Sequence, residues 1–286
     1  MDLLTGLLYS TVRLEVTKAS GTSVGTGFFF FALQEGDKGV LLLITNKHVV
    51  DGGTELRFLM HLQDAAGGPS GHSIGVTHDL GQVVNHPDPQ IDLCGIPISA
   101  ALSTAQEQGR PIFYRTLGKN LFPGVEPSSS PGSIEDILMI GYPNGLWDTA
   151  NNMPIVRRGI TATSPSVRFE GRPEFMIDAA CFPGSSGSPV FLFERSAQQP
   201  RPNVLIGQRF CFLGVLYAGP TLDSHGKFRV SPIPTTSSGA GSVMMHLGLV
   251  VQAREVLRVE DELRRLIQAA QFHAAGDDPR PNATSP

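Results

Sequence analysis

Residues 182–189 read Phe-Pro-Gly-Ser-Ser-Gly-Ser-Pro and run directly into the apolar Val190-Phe191-Leu192. Ser186 therefore sits on a glycine-flanked turn in front of a strand. Nucleophilic acyl transfer asks for this arrangement: the oxygen must stand clear of the backbone while nearby amide N–H groups converge on a developing oxyanion. Gly184 permits the backbone geometry that turns such donors inward. Serine-rich turns are also ordinary in loops, so the octet does not decide the matter alone.

A serine hydroxyl is a weak nucleophile. It needs a base, and the base needs a carboxylate to orient it, both on ordered elements. His48 stands at the end of the apolar run Leu41-Leu42-Leu43-Ile44, in Thr45-Asn46-Lys47-His48-Val49-Val50. Asp92 opens the run Asp92-Leu93-Cys94-Gly95-Ile96-Pro97-Ile98. Taken singly, a strand-end histidine is an ordinary satisfied polar group, and an aspartate close to Pro87 and Pro89 is ordinary turn chemistry. The order His, Asp, Ser along one chain gives them a joint meaning.

The elements that would have to position these groups are β-rich. From Ser10 to about Ile98 short runs of β-branched and aromatic residues (Thr11–Thr17, Gly25–Ala32, Gly39–Thr45, Glu55–His61, Ile91–Ile98) alternate with turn clusters such as Ala66-Gly67-Gly68-Pro69. Periodicity fades between Ala100 and Ser133, where Pro123-Gly124 and Pro127 to Gly132 read as an exposed connector. Strand-like runs resume from Asp136 to Val250, and Gln252–Phe272 carries apolar residues at helical spacing. The expected organisation is an N-terminal β unit over residues 1–120, a connector over 121–133 and a second β unit over 134–251. A C-terminal helix over 252–273 and a disordered tail over 274–286 complete it.

Composition removes several function classes. A net charge of −4 with no long basic run leaves no electrostatic footprint for nucleic acid or an anionic membrane surface. The longest apolar stretches are far too short to span a bilayer. The first sixteen residues lack a basic region and a cleavage-site pattern, so no secretion signal is expected. Cys94, Cys181 and Cys211 are odd in number and set among apolar neighbours, which argues against a disulfide framework and for a cytoplasmic setting.

With these features in place, the segments TNKHVV, IDLCGIPI and PGSSGSPV together resemble the three triad segments of trypsin-like serine peptidases, especially bacterial ones lacking disulfides. Supporting matches are Gly25-Thr26-Gly27-Phe28-Phe29, Ile140-Gly141-Tyr142-Pro143 and Ile177-Asp178-Ala179-Ala180. The resemblance runs from about Ser10 to Leu257. It implies an all-β fold of two packed six-stranded Greek-key barrels with the cleft between them, closed by the C-terminal helix.

It also implies roles. Ser186 attacks the scissile carbonyl, His48 moves the proton, Asp92 holds the imidazole, and the backbone N–H groups of Gly184 and Ser186 form the oxyanion hole. The substrate pocket falls on Ala180 (its floor), Cys181 and Phe182, and on Leu216, Tyr217, Ala218 and Gly219. None of these side chains is charged, so cleavage after small or medium apolar residues is expected, unless Asp178 turns its carboxylate into the pocket. The expected partner is a protein or peptide substrate, with no cofactor, metal, nucleic acid or membrane; oligomeric state stays open.

One departure concerns Ser185. Many secreted digestive relatives carry Asp before the nucleophile, where it pairs with an N-terminus released by zymogen cleavage. A serine cannot make that ion pair, so activation by N-terminal trimming is not expected here.

Other constellations fit less well. An α/β-hydrolase using Ser186, Asp223 and His246 would need a helix after the nucleophile, where Pro189-Val190-Phe191-Leu192 reads as a strand. His72, His78 and His86 match no compact metal-ligand spacing. The alternative from another functional class is a catalytically inactive pseudo-enzyme of the same fold, serving as a peptide-binding or scaffolding module.

Overall fold

The computed structural model describes residues 1–36, 38–125, 130–194, 209–222, 228–233, 235 and 243–276. The expected tail falls almost wholly outside them, as does Asp223.

Two antiparallel sheets make up most of the fold. The first contains β1 (Thr11–Lys18), β2 (Gly21–Glu35), β3 (Lys38–Thr45), β4 (Gly53–Gln63), β5 (Pro69–Asp79), β6 (Val84–Asn85), β7 (Cys94–Pro97) and β8 (Ile112–Phe113). Its order is β5-β4-β1-β2-β3-β7-β6, with β8 paired to β4. It has eight strands, and no hydrogen-bonded pair joins β5 to β6 among the described residues. Past the turn cluster Ala66-Gly67-Gly68-Pro69, the chain up to Asp79 forms the outer hairpin strand β5. Its polar residues mostly face outward, and only Ile74 and Val76 turn toward the core, too short an apolar alternation to read as a strand.

The second sheet contains β9 (Asp136–Gly141), β10 (Ile155–Thr161), β11 (Glu174–Asp178), β12 (Pro189–Glu194), β13 (Arg209–Leu222), β14 (Phe228–Pro232), β15 (Val243–Met244) and β16 (Leu247–Gln252). The ring β12-β9-β10-β11-β16-β13 closes on itself because β12 also pairs with β13. Closure leaves this six-stranded barrel without free edges. The short strands β14 and β15 are appended to β13 outside the ring.

Among the described residues four α-helices accompany the sheets: α1 (Leu3–Leu8), α2 (Lys47–Val50), α3 (Ser99–Glu107) and α4 (Arg254–Gly276). Helix α3 lies where periodicity fades. Its two serines, threonine, glutamine and glutamate outnumber the two residues it buries, Leu102 and Ala105, so the apolar stripe is too thin to read. Helix α4 starts and ends two to three residues later than the spacing suggests.

One core joins the two sheets and α4. Phe28 and Phe30 from β2 share a buried cluster with Phe191, Phe212 and Val215 of the second barrel and with Val256, Val259 and Leu263 of α4. Phe28 and Phe212 meet edge to face with ring centroids 5.4 Å apart. Rigid contact between the sheets lets groups from different sheets hold fixed distances.

Among the described residues no helix is long and apolar enough to cross a membrane.

Candidate active site

Strand β3 ends at Thr45, whose hydroxyl donates to Thr26 O at 2.8 Å. The chain then turns through Asn46 into the single-turn helix α2, anchored by buried Val49 and Val50. This places His48 just past the end of an interior strand. The buried Asn46 amide donates to Asp92 O at 2.7 Å, tying the two segments together. The carboxylate of Asp92 then receives two bonds from His48: the backbone N–H reaches Oδ1 at 3.1 Å and the ring Nδ1 reaches Oδ2 at 2.5 Å.

A carboxylate only accepts, so Nδ1 carries the proton and Nε2 presents its lone pair. Ser186 Oγ lies 2.8 Å from that Nε2. The three residues named in sequence are thus brought into one hydrogen-bonded line, 44 and 138 positions apart from His48. A hydroxyl so placed can pass its proton to the imidazole as the oxygen attacks an acyl carbon.

The turn carrying Ser186 is held from both sheets. Gly184 and Gly187 adopt φ +81° and +86°, the left-handed region that favours glycine. A Cβ on Gly184 would sit 2.7 Å from Tyr142 O, and one on Gly187 only 1.9 Å from Thr26 O. Thr26 reaches the turn twice: its N–H donates to Ser186 O at 2.8 Å and its hydroxyl to Gly184 O at 3.0 Å.

Pro183 O accepts from Asn144 N at 2.5 Å. In a trans peptide C=O and N–H point opposite ways, so the N–H of Gly184 faces away from Asn144. Neither this N–H nor that of Ser186 donates to any group among the described residues.

Ser185, the residue that departs from the secreted pattern, has an unforeseen partner. The Arg157 guanidinium donates to Ser185 Oγ at 2.8 Å and also to Ala180 O. Burial lowers the Arg157 pKa to about 10, still far enough above neutrality to keep the group cationic.

The pocket residues fall in two groups. Cys181 and Leu216 are buried in one apolar cluster with Ala179, Ile177 and Ile233. Burial pushes the Cys181 thiol up to about 12. Tyr217 and Ala218 instead border a cleft of about 860 Å³ that also touches His48, Asp92, Val230 and Pro232. Phe182 packs its ring on His246, centroids 5.6 Å apart. Gly219 pairs with Ser231 in the β13–β14 ladder. Asp178 is exposed at the end of β11. Of the three histidines weighed for a metal, His72 and His78 lie on β5, while His86 bonds Glu255 at 3.2 Å.

Two residues that sequence reasoning passed over are central to this geometry. Thr26 was visible only as part of Gly-Thr-Gly-Phe-Phe, with nothing to show that its hydroxyl crosses between sheets. Arg157 gave no signal of its own: in the structure β10 exposes Ile155, Val156 and Ile160 while Arg157 is half-buried, the reverse of ordinary patterning.

Comparison with known proteins bears on this arrangement. Similar folds include the HtrA-type protease AlgW, solved with a tripeptide. It is 17% identical over 91% of this chain and 62% of that one, with a TM-score of 0.51. The Rv3671c protease from M. tuberculosis in its active form is 17% identical over 89% of this chain and 80% of that one, TM-score 0.44. A serine endoprotease from Yersinia pestis is 18% identical over 71% and 58%, TM-score 0.37. This chain thus spans less than two thirds of the length of AlgW. None of the curated proteins searched matches it. A family model of the trypsin-like peptidase domain matches residues 25–196, more than half of the sequence, from before His48 to beyond Ser186. The chain therefore belongs to the trypsin-like peptidase domain family.

Proposed function

We propose that this protein hydrolyses peptide bonds of protein substrates through an acyl-enzyme on Ser186. The observation that carries the reading is the unbroken line from Asp92 Oδ2 through the His48 ring to Ser186 Oγ, at 2.5 and 2.8 Å.

In the first half-reaction Ser186 Oγ bonds to the scissile carbonyl carbon while its proton passes to His48 Nε2. Asp92 keeps Nδ1–H in place and stabilises the imidazolium. The carbonyl oxygen gains negative charge and is met by the undonated N–H groups of Gly184 and Ser186. Collapse of this intermediate breaks the C–N bond, and His48 returns the proton to the departing amine. Water then repeats the cycle on the acyl-serine and releases the second product.

The substrate reading is cleavage after small or medium apolar residues. It rests on the apolar cluster that buries Cys181 and Leu216 and on the outward position of Asp178.

Labelling with a fluorophosphonate probe tests the reading. Covalent modification of wild-type Ser186, absent in Ser186→Ala, is the expected result. Failure of the folded wild-type protein both to label and to cleave any member of a peptide library would sink it in favour of an inactive binding module.

A further inference from the structure

Strand β14 is dispensable for closing the second barrel, yet it lies along β13 just beyond Leu216, whose backbone bonds Gly187 and Ser188 beside the candidate nucleophile. Ala218 pairs with Pro232 and Gly219 with Ser231. Beyond the strand, Ile233 N donates to Tyr217 O at 3.1 Å, and Ile233 O lies 3.3 Å from Ser186 Oγ. The Ile233 side chain is only 1% exposed and belongs to the apolar cluster of Cys181 and Leu216. On the other side of Ser186, Thr235 O accepts from Val24 N of β2 at 2.9 Å.

An extended peptide substrate has to satisfy the same conditions. It must add as an antiparallel strand to an exposed edge, bury the side chain before the scissile bond, present that residue's carbonyl to Ser186 Oγ, and be gripped beyond it. The segment from Phe228 to Ile233, with Thr235, meets them with this chain's own residues.

We propose that this segment is a built-in substrate mimic, with Ile233 in the position of the residue whose carbonyl is attacked, and that it blocks the cleft until an extended peptide with a branched aliphatic residue displaces it. The proposal rests on the peptidase reading of Ser186.

Sequence adds a reason for the mimic to survive. Residue 234 is proline, so the bond after Ile233 is a tertiary amide whose ring fixes φ and whose nitrogen carries no N–H. The segment binds as a substrate would, next to a bond poorly suited to cleavage. An incoming peptide competes with a tethered strand, so its apparent affinity falls by the fraction of time the cleft is open.

The full chain serves for the test, with two readouts. Hydrogen exchange at the Ile233 amide reports occupancy without any catalysis. Protection well beyond that of an unstructured peptide is expected, and exchange at the unstructured rate would overturn the proposal.

The second readout is the rate of fluorophosphonate labelling. Ile233→Gly removes the side chain from the pocket; because it also opens the core, Ser231→Pro, which removes a donor from the β14 edge, serves as the second variant. Labelling at least ten-fold faster in Ser231→Pro, with an unchanged melting temperature, is expected. Equal labelling rates in wild type and both folded variants would overturn the block, as would cleavage of the wild-type chain after Ile233. A protected Ile233 amide with no labelling in any variant would leave the strand in place and count against the peptidase reading instead.

Discussion

The guanidinium of Arg157 donates to the hydroxyl of Ser185, the residue immediately before the candidate nucleophile, at 2.8 Å. The same group bonds Ala180 O, so one cation from β10 spans the two ends of the segment 180–185. A serine there cannot pair with a released N-terminus, and a half-buried cation from β10 bridges the turn instead. Its positive charge is retained at neutral pH although burial lowers its pKa to about 10.

Arg157 is therefore expected to act as a positioning residue. Arg157→Met should lower kcat about ten- to a hundred-fold with KM little changed, since hydrogen bonds to a charged group contribute about 1.5–3 kcal/mol. Arg157→Lys should restore part of the loss by reaching one of the two acceptors. A variant that loses thermal stability but keeps the wild-type kcat would show a merely structural role.

Ser186→Ala should abolish hydrolysis with an unchanged melting temperature, because the turn is shaped by Gly184, Gly187 and Thr26 rather than by the Ser186 hydroxyl. Loss of such a group costs about 10⁴ to 10⁶ in rate. Asp92→Asn should come close to this, since an amide at that position no longer fixes the His48 tautomer. Retention of more than a few per cent of activity in purified Ser186→Ala would refute the assignment.

Gly187→Ala should be far more damaging to folding than Gly184→Ala. At Gly187 the added Cβ would press to 1.9 Å against Thr26 O, backbone of the other sheet, while at Gly184 it would meet Tyr142 O at 2.7 Å. Both carry the left-handed penalty of about 1 kcal/mol or more. Urea unfolding should place Gly184→Ala as folded with impaired labelling, and Gly187→Ala as strongly destabilised or insoluble.

Much of the site was legible because its chemistry is local: Ser186, His48 and Asp92 each sit in a short segment whose residue types match its task. The closed barrel was foreshadowed by strand-length runs between turn clusters. What stayed hidden depends on tertiary neighbours. Arg157 is one of two adjacent arginines, and nothing in Val156-Arg157-Arg158-Gly159 says which turns inward. Strand β5 is polar because it is an outer strand, and α3 packs only two side chains. The return of residues 228–233 and of Thr235 to the cleft follows from register against β13, which no local pattern encodes.

Acid should weaken the attachment of α4 to the segment leading to Asp92. The His86 hydrogen bond to Glu255 is the main cause holding that carboxyl below its ordinary range. A carboxyl with a depressed folded-state pKa contributes stability that is present above its unfolded value, about 4.3. That contribution is lost as pH falls through the folded value. Thermal melts of Glu255→Gln should therefore sit below wild type at pH 7 and converge with it below about pH 4. A constant gap across this range would show that the carboxylate is not the responsible group.

Substrate preference provides the most direct check on the pocket. Its surroundings include Ile177, Ala179, Cys181 and Leu216, all buried and uncharged. The nearest acidic candidate from sequence, Asp178, is exposed on β11 rather than turned inward. The charge that does lie beside the pocket floor is the Arg157 guanidinium, bonded to Ala180 O. A lysine or arginine entering here would lose its hydration without gaining a carboxylate and would approach a like charge, a cost of several kcal/mol. An aliphatic side chain gains about 1.5–3 kcal/mol on full burial. A peptide library varied at the residue before the scissile bond should therefore show kcat/KM highest for Ile, Val and Leu, with Lys and Arg lower by at least a hundred-fold. Strong cleavage after Lys or Arg would mean that Asp178 swings inward on substrate binding, and Asp178→Asn would then abolish that preference.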